Sequence, residues 1–142
     1  MTGAGGSTLL AFDFGSQSIG VAAGSRGNGL ATPLAVIRVF RSGADWNSID
    51  NLVKEWEPDG FVVGLAYNAR GEHTVMSRRA EKFGRRLAER YGRPVHWIDE
   101  TLSTEAARRA LHDSEPDRRL RKADIDAAAA ALILESYLNT QR

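Results

Sequence analysis

The sequence predicts an α/β domain in which one mixed sheet carries helices on its faces. Three observations lead there. Apolar runs of strand length recur between residues 8 and 98, and stretches between them space their apolar residues as helices do. The later strands are separated by those helices, whereas the first two are joined by a short glycine-containing turn. Strands linked through helices run parallel with right-handed crossovers, and strands linked by a tight turn run antiparallel. A chain of 142 residues, 42% of them hydrophobic, has the length of one domain and can bury a core.

Each element has its own signal. The opening MTGAGGST has no apolar segment of the signal-peptide kind, so residues 1–7 are expected to be a frayed end. Residues 8–14 and 19–24 are two strands joined through Gly15 to Ser18, a hairpin signal. LAVIRVF, residues 34–40, is a third strand entered after Pro33. Asp45 is placed to cap a helix in which Ile49, Leu52, Val53 and Trp56 follow at helical spacing. GFVVGL, residues 60–65, is continuously apolar, as suits a central strand covered on both faces. The polar loop AYNARGEHT leads to a helix with Met76, Ala80, Phe83, Leu87 and Tyr91 on its buried stripe, ended by Gly92 and Pro94. VHWI, residues 95–98, is a fifth strand. After it come a short helix over about residues 103–112, an arginine-rich loop, and a last helix over about 124–138 whose first half is apolar nearly all round.

Composition narrows the classes of function. The chain has no cysteine, which excludes disulfides and thiolate metal sites and fits a reducing, cytoplasmic setting. No apolar stretch reaches membrane-spanning length. The net charge is only +1, but between Arg78 and Arg93 there are six arginines and one lysine against two glutamates, and RRLRK at 118–122 is a second basic cluster. Solvated faces often look like this; a polyanion-binding face does too.

The acids are more telling. Asp13 ends the first strand and Asp99–Glu100 end the fifth, so they share the carboxyl edge of the sheet, where open α/β sheets bind ligands. Asp124 and Asp126 open the last helix. Asp124 is the better cap, and Asp126 shares a face with Ala129, Ala130 and Ile133, small enough in part to bring the helix close to the sheet. Three carboxylates brought together repel one another unless a hard divalent cation offsets them, and oxygen ligands suit Mg²⁺ or Mn²⁺. Two such ions about 3.5–4 Å apart can clamp the attacking and leaving oxygens of a phosphodiester. The histidines, His73, His96 and His112, lack metal-ligand spacing and read as loop or surface residues, and Ser103 and Thr104 read as helix caps. There is no Walker-type loop.

Four stretches, AFDFGSQSIGVAAG, VVGLAYNARGEHTVMSRRAEKFGRRL, DETLSTEAARRAL and DIDAAAAALILESYL, together resemble the YqgF/RuvX family of Holliday-junction-resolvase-like proteins. The resemblance spans nearly the whole chain after residue 8. It implies a ribonuclease H-like fold with a five-stranded sheet of order 3-2-1-4-5, the second strand antiparallel. It implies an acidic triad of Asp13, Glu100 and Asp126, which would be catalytic and would bind one or two Mg²⁺ or Mn²⁺ ions. It also implies a metal-dependent nuclease that matures the 5′ end of precursor 16S ribosomal RNA. The alternatives are cleavage of branched DNA and a non-catalytic role in binding nucleic acid or ribosomal assembly intermediates. Arg118, Arg119, Arg121, Lys122 and part of the 78–93 face would then position the phosphate backbone, in a monomer or a homodimer. The chain departs from the family in its neutral first turn (Ser16, Gln17, Ser18), in Thr101 after the glutamate, and in Gly64-Leu65-Ala66. Its first motif also resembles the phosphate hairpin of actin-like ATPases, but those close two lobes around a nucleotide and this chain has length for one.

Overall fold

The computed structural model describes residues 8–27, 29–99 and 122–140. In chain order these form β1 (Thr8–Phe14), β2 (Ser18–Ser25), β3 (Ala31–Phe40), β4 (Gly43–Ala44), α1 (Trp46–Trp56), β5 (Gly60–Leu65), α2 (Val75–Tyr91), β6 (Val95–Asp99) and α3 (Lys122–Thr140). The sheet order is β4-β3-β2-β1-β5-β6. β1, β5 and β6 are parallel neighbours, while β1–β2, β2–β3 and β3–β4 pair antiparallel. The expected order of five strands is therefore present, with one strand added at the β3 edge. That strand, Gly43–Ala44, is two residues long and too short to carry a periodic signal.

Two boundaries differ from expectation. β3 starts at Ala31 and so contains Pro33. The β2–β3 register shifts between Val21 and Ala22, which pair with Ala35 and Pro33 and leave Leu34 as the extra residue. Such a bulge tolerates a residue without an N–H. α3 starts at Lys122, so Lys122 belongs to the helix and Asp124 lies within its first turn instead of capping it. The expected helix at 103–112 lies outside the described residues.

Local chemistry explains the helix ends. Asp45 caps α1, accepting from the Ser48 N–H at 3.4 Å and from the Ser48 hydroxyl at 2.7 Å. Thr74 and Ser77 form a reciprocal capping box on α2, and Gly92 closes that helix at φ 65°.

Alternation along β1 divides the core into two layers. Leu10 and Phe12 face α1 and α2, meeting Phe61, Phe83 and Leu87; the Phe12 and Phe83 rings lie edge-on with centroids 5.4 Å apart. Leu9 and Ala11 face the other way, packing with Val62, Ile133 and Leu134 beneath α3. Full burial of each large side chain stabilises the fold by about 1.5–3 kcal/mol.

Candidate active site

Asp13 is the next residue of β1 on the α3 side, following Leu9 and Ala11. Its cross-strand partner on β2 is Gly20. The same face of β2 continues with Ala22 and Gly24, and α3 lies on this row. A Cβ at Gly20 would stand 2.0 Å from the Asp126 carbonyl oxygen, Ala22 packs with Ala130 and Ala131, and a Cβ at Gly24 would stand 2.9 Å from the Leu134 Cδ2. Four helical residues rise about 6 Å, close to the span of two strand residues. Positions 126, 130 and 134 therefore keep step with 20, 22 and 24, and α3 runs along β2 in the same sense. Its N-terminal end comes to the carboxyl end of β1, and Asp126 is carried to the edge where Asp13 sits.

Asp126 is oriented by a neighbour. The Ser18 hydroxyl, at the first residue of β2, donates to the Asp126 carboxylate at 2.7 Å. In the sequence Ser18 stands out only as a neutral residue in the first turn; the cue to its role is that it precedes Gly20 by one strand repeat. Both acids are half-buried. The β5–α2 loop lies at the same edge and is tied down by Asn68, whose side-chain oxygen accepts from the N–H groups of Arg70 at 2.8 Å and Glu72 at 3.0 Å.

The other sequence-predicted residues divide clearly. Glu100, Arg118, Arg119 and Arg121 lie outside the described residues, and Lys122 is the first residue of α3. Glu100 follows β6 directly and is two positions beyond Ile98, which packs on the α3 side of the sheet. His73 is exposed in the β5–α2 loop, its Nδ1 2.9 Å from the Ser77 hydroxyl. His96 is half-buried on β6: it stacks on Tyr137 of α3 at 5.0 Å, and burial, with Arg26 nearby, lowers its pKa from the ordinary 6.5.

Among the described residues, no three histidine, cysteine, aspartate or glutamate side chains form a metal-holding group. The groups brought to this edge, Asp13, Asp126 and the Ser18 hydroxyl, are all hard oxygen donors. This donor chemistry fits Mg²⁺ or Mn²⁺ better than a thiophilic or imidazole-preferring metal.

A sheet of this order, with an antiparallel second strand under a long helix and acids at its carboxyl edge, defines the ribonuclease H-like class. Two solved structures share the architecture. Thermus thermophilus RuvC in complex with a Holliday junction substrate superposes with a TM-score of 0.57 at 13% identity, covering 94% of each chain. The yeast mitochondrial Holliday junction resolvase superposes at 0.56 with 12% identity, covering 94% of this chain and 78% of the other. Within that class the chain belongs to the RuvX family, described as Holliday junction resolvase, which matches residues 7–140. Relatives from Escherichia coli O157:H7 and Escherichia coli K12, each named "Putative pre-16S rRNA nuclease", are 48% identical over 130 residues, 92% of this chain and 94% of theirs. The family is one of nucleases, hydrolases acting on phosphodiester bonds.

Proposed function

We propose that the protein hydrolyses phosphodiester bonds of precursor 16S ribosomal RNA in maturing its 5′ end, with Asp13, Glu100 and Asp126 as the catalytic acids. The reading is carried by one observation: Asp126, held by Ser18, reaches the sheet edge beside Asp13 because Gly20 lets the backbone of α3 rest on β2. The names of the 48%-identical relatives support the choice of RNA. One or two Mg²⁺ or Mn²⁺ ions held by these acids would offset their charge and polarise the phosphodiester. The chain's own part is to hold Asp13 on a strand buried on both faces and Asp126 on a packed helix, so neither carboxylate has far to move. Ser18 fixes the orientation of Asp126. Ribosome assembly places such an activity in the cytoplasm, and no described helix is long and apolar enough to cross a membrane.

The test is a side-by-side digestion of precursor 16S RNA and a four-way DNA junction, with Mn²⁺, with chelator, and with Asp13→Asn. The parental protein should cut the RNA only with metal. Asp13→Asn should stay folded and lose activity by more than about a hundredfold, a loss that even changes around a ligand can reach. Cleavage by Asp13→Asn at the parental rate would overturn the assignment of the acids. Cutting of the junction in preference to the RNA would overturn the substrate.

A further inference from the structure

The opposite face of the sheet carries a second feature that the acids do not use. Between the β3–β4 turn and α2 lies a cavity of about 370 Å³, with Trp46 and Phe83 among its apolar residues and Arg41, Arg79, Lys82 and Arg86 as its charged ones. No carboxylate among the described residues lines it. Among the described residues, acids pair with Arg85 and Arg90 and with none of these four cations. All four are exposed, so water and counterions reach them; Glu89 stands near Arg86 in the adjoining recess without pairing with it. Arg79, Lys82 and Arg86 form a row about 10 Å long on α2, suited to a chain of repeated negative charge more than to a lone anion.

The cavity also offers an aromatic surface. Trp46 lies against Phe83 with centroids 5.4 Å apart and rings tilted by 30°, and the guanidinium groups of Arg86 and Arg90 lie over the Trp46 ring at 5.3 and 5.2 Å. Aromatic rings and guanidinium planes are the surfaces on which unpaired bases stack; bases paired within a duplex are not available for this. The site's position matters as well. Phe14, which lines the cavity, directly follows Asp13 on β1, and the Val39 N–H beside it donates to the Gln17 carbonyl at 3.0 Å. The cavity therefore abuts the β1–β2 turn, whose residues Gly15, Ser16 and Gln17 carry no cation.

We infer that this cavity binds a single-stranded segment of the polynucleotide, with its phosphates on Arg41, Arg79, Lys82 and Arg86 and a base on the Trp46–Arg86 layer. The strand then passes round the end of the sheet toward Asp13 and Asp126. The identity of the polymer rests on the nuclease reading, while the site itself is independent of the acids.

The experiment measures binding of a fluorescein-labelled oligouridylate to the full chain in chelator, by anisotropy over a range of salt concentrations. The combined variant Arg41→Gln/Arg79→Gln/Lys82→Gln should bind at least about tenfold more weakly, with a log–log salt slope shallower by about 2, since each phosphate contact on a single strand contributes about 0.7. Arg85→Gln changes the same helix outside the cavity and should bind nearly as the parent does. Melting temperatures verify that the variants are folded. Parental affinity and slope in the combined variant would overturn the inference. So would a loss per charge in Arg85→Gln equal to that in the combined variant, or tighter binding of an RNA duplex than of the single strand. The two readings fail separately: binding is measured in chelator, where no cleavage is required, so cleavage by Asp13→Asn at the parental rate would overturn the assignment of the acids and leave this result standing.

Discussion

Gly20 is where α3 comes down on β2. A Cβ there would meet the Asp126 carbonyl oxygen at 2.0 Å and its carbonyl carbon at 2.4 Å, both main-chain atoms that cannot swing aside. Gly20→Ala should therefore lift the start of α3, costing about 1–3 kcal/mol as overpacking does, and reduce cleavage further than that loss explains. Gly27→Ala, where the nearest atom would be a side-chain oxygen at 3.6 Å, should change neither. Thermal melts and cleavage rates of the two variants at a temperature where both are folded check this; equal activity would show that the α3 contact does not set the site. At this scale the sequence is partly readable. Asp13 announces itself as an acid ending an apolar strand, and Asp126 by its alanine neighbours. The need for glycine at position 20 and the bond from Ser18 come from a helix contacting β2 from far along the chain, and no local pattern encodes that.

α1 and α2 are joined by a polar clamp. The Arg90 guanidinium donates to both Asp50 carboxylate oxygens at 2.9 and 2.8 Å, and the Tyr91 hydroxyl donates to one of them at 2.6 Å. The Arg90 hydrogen bond, then that of Tyr91, lowers the Asp50 pKa from 3.8 to about 2. A depressed carboxylate pKa stabilises the fold above the unfolded value and loses that contribution as pH falls through the folded one. Parental protein should therefore exceed Asp50→Asn in urea midpoint at pH 6, with the gap closing from about pH 4 to pH 2. A gap constant across that range would mean that the charge of Asp50 contributes nothing to the clamp. The pair is exposed, so solvent screening keeps the gap small. The elements themselves were largely legible: α1 from its Asp45 cap, α2 from its stripe and Gly92. The two-residue β4 was too short to show, and α3 begins before its apolar pattern does. Once inside that first turn, Asp124 complements the helix dipole.

At the scale of the whole molecule, the described residues put a core on each face of the sheet, and Asp126 rises from the helix packed on one of them. Leu87 and Leu134 are both fully buried, Leu87 toward α1 and α2 and Leu134 under α3. Each substitution by alanine should cost about 2–5 kcal/mol. Leu134→Ala loosens the helix that carries Asp126, so at a temperature where both variants are folded it should lose markedly more cleavage activity than Leu87→Ala. Equal activities would mean that the two layers do not act separately. Parallel and antiparallel pairing was foreseeable because helices alternate with the later strands and a hairpin joins the first two, while the strand order came with the family resemblance. The cavity beside α2 was not foreseeable, since Arg41 and Trp46 join Arg79 and Arg86 only through the β3–β4 turn. Gly20 has a wider effect. There main chain rests on main chain, so the approach of α3 to β2 at that point depends on no rotamer, and sequence drift elsewhere in the interior can exchange one aliphatic residue for another without moving it.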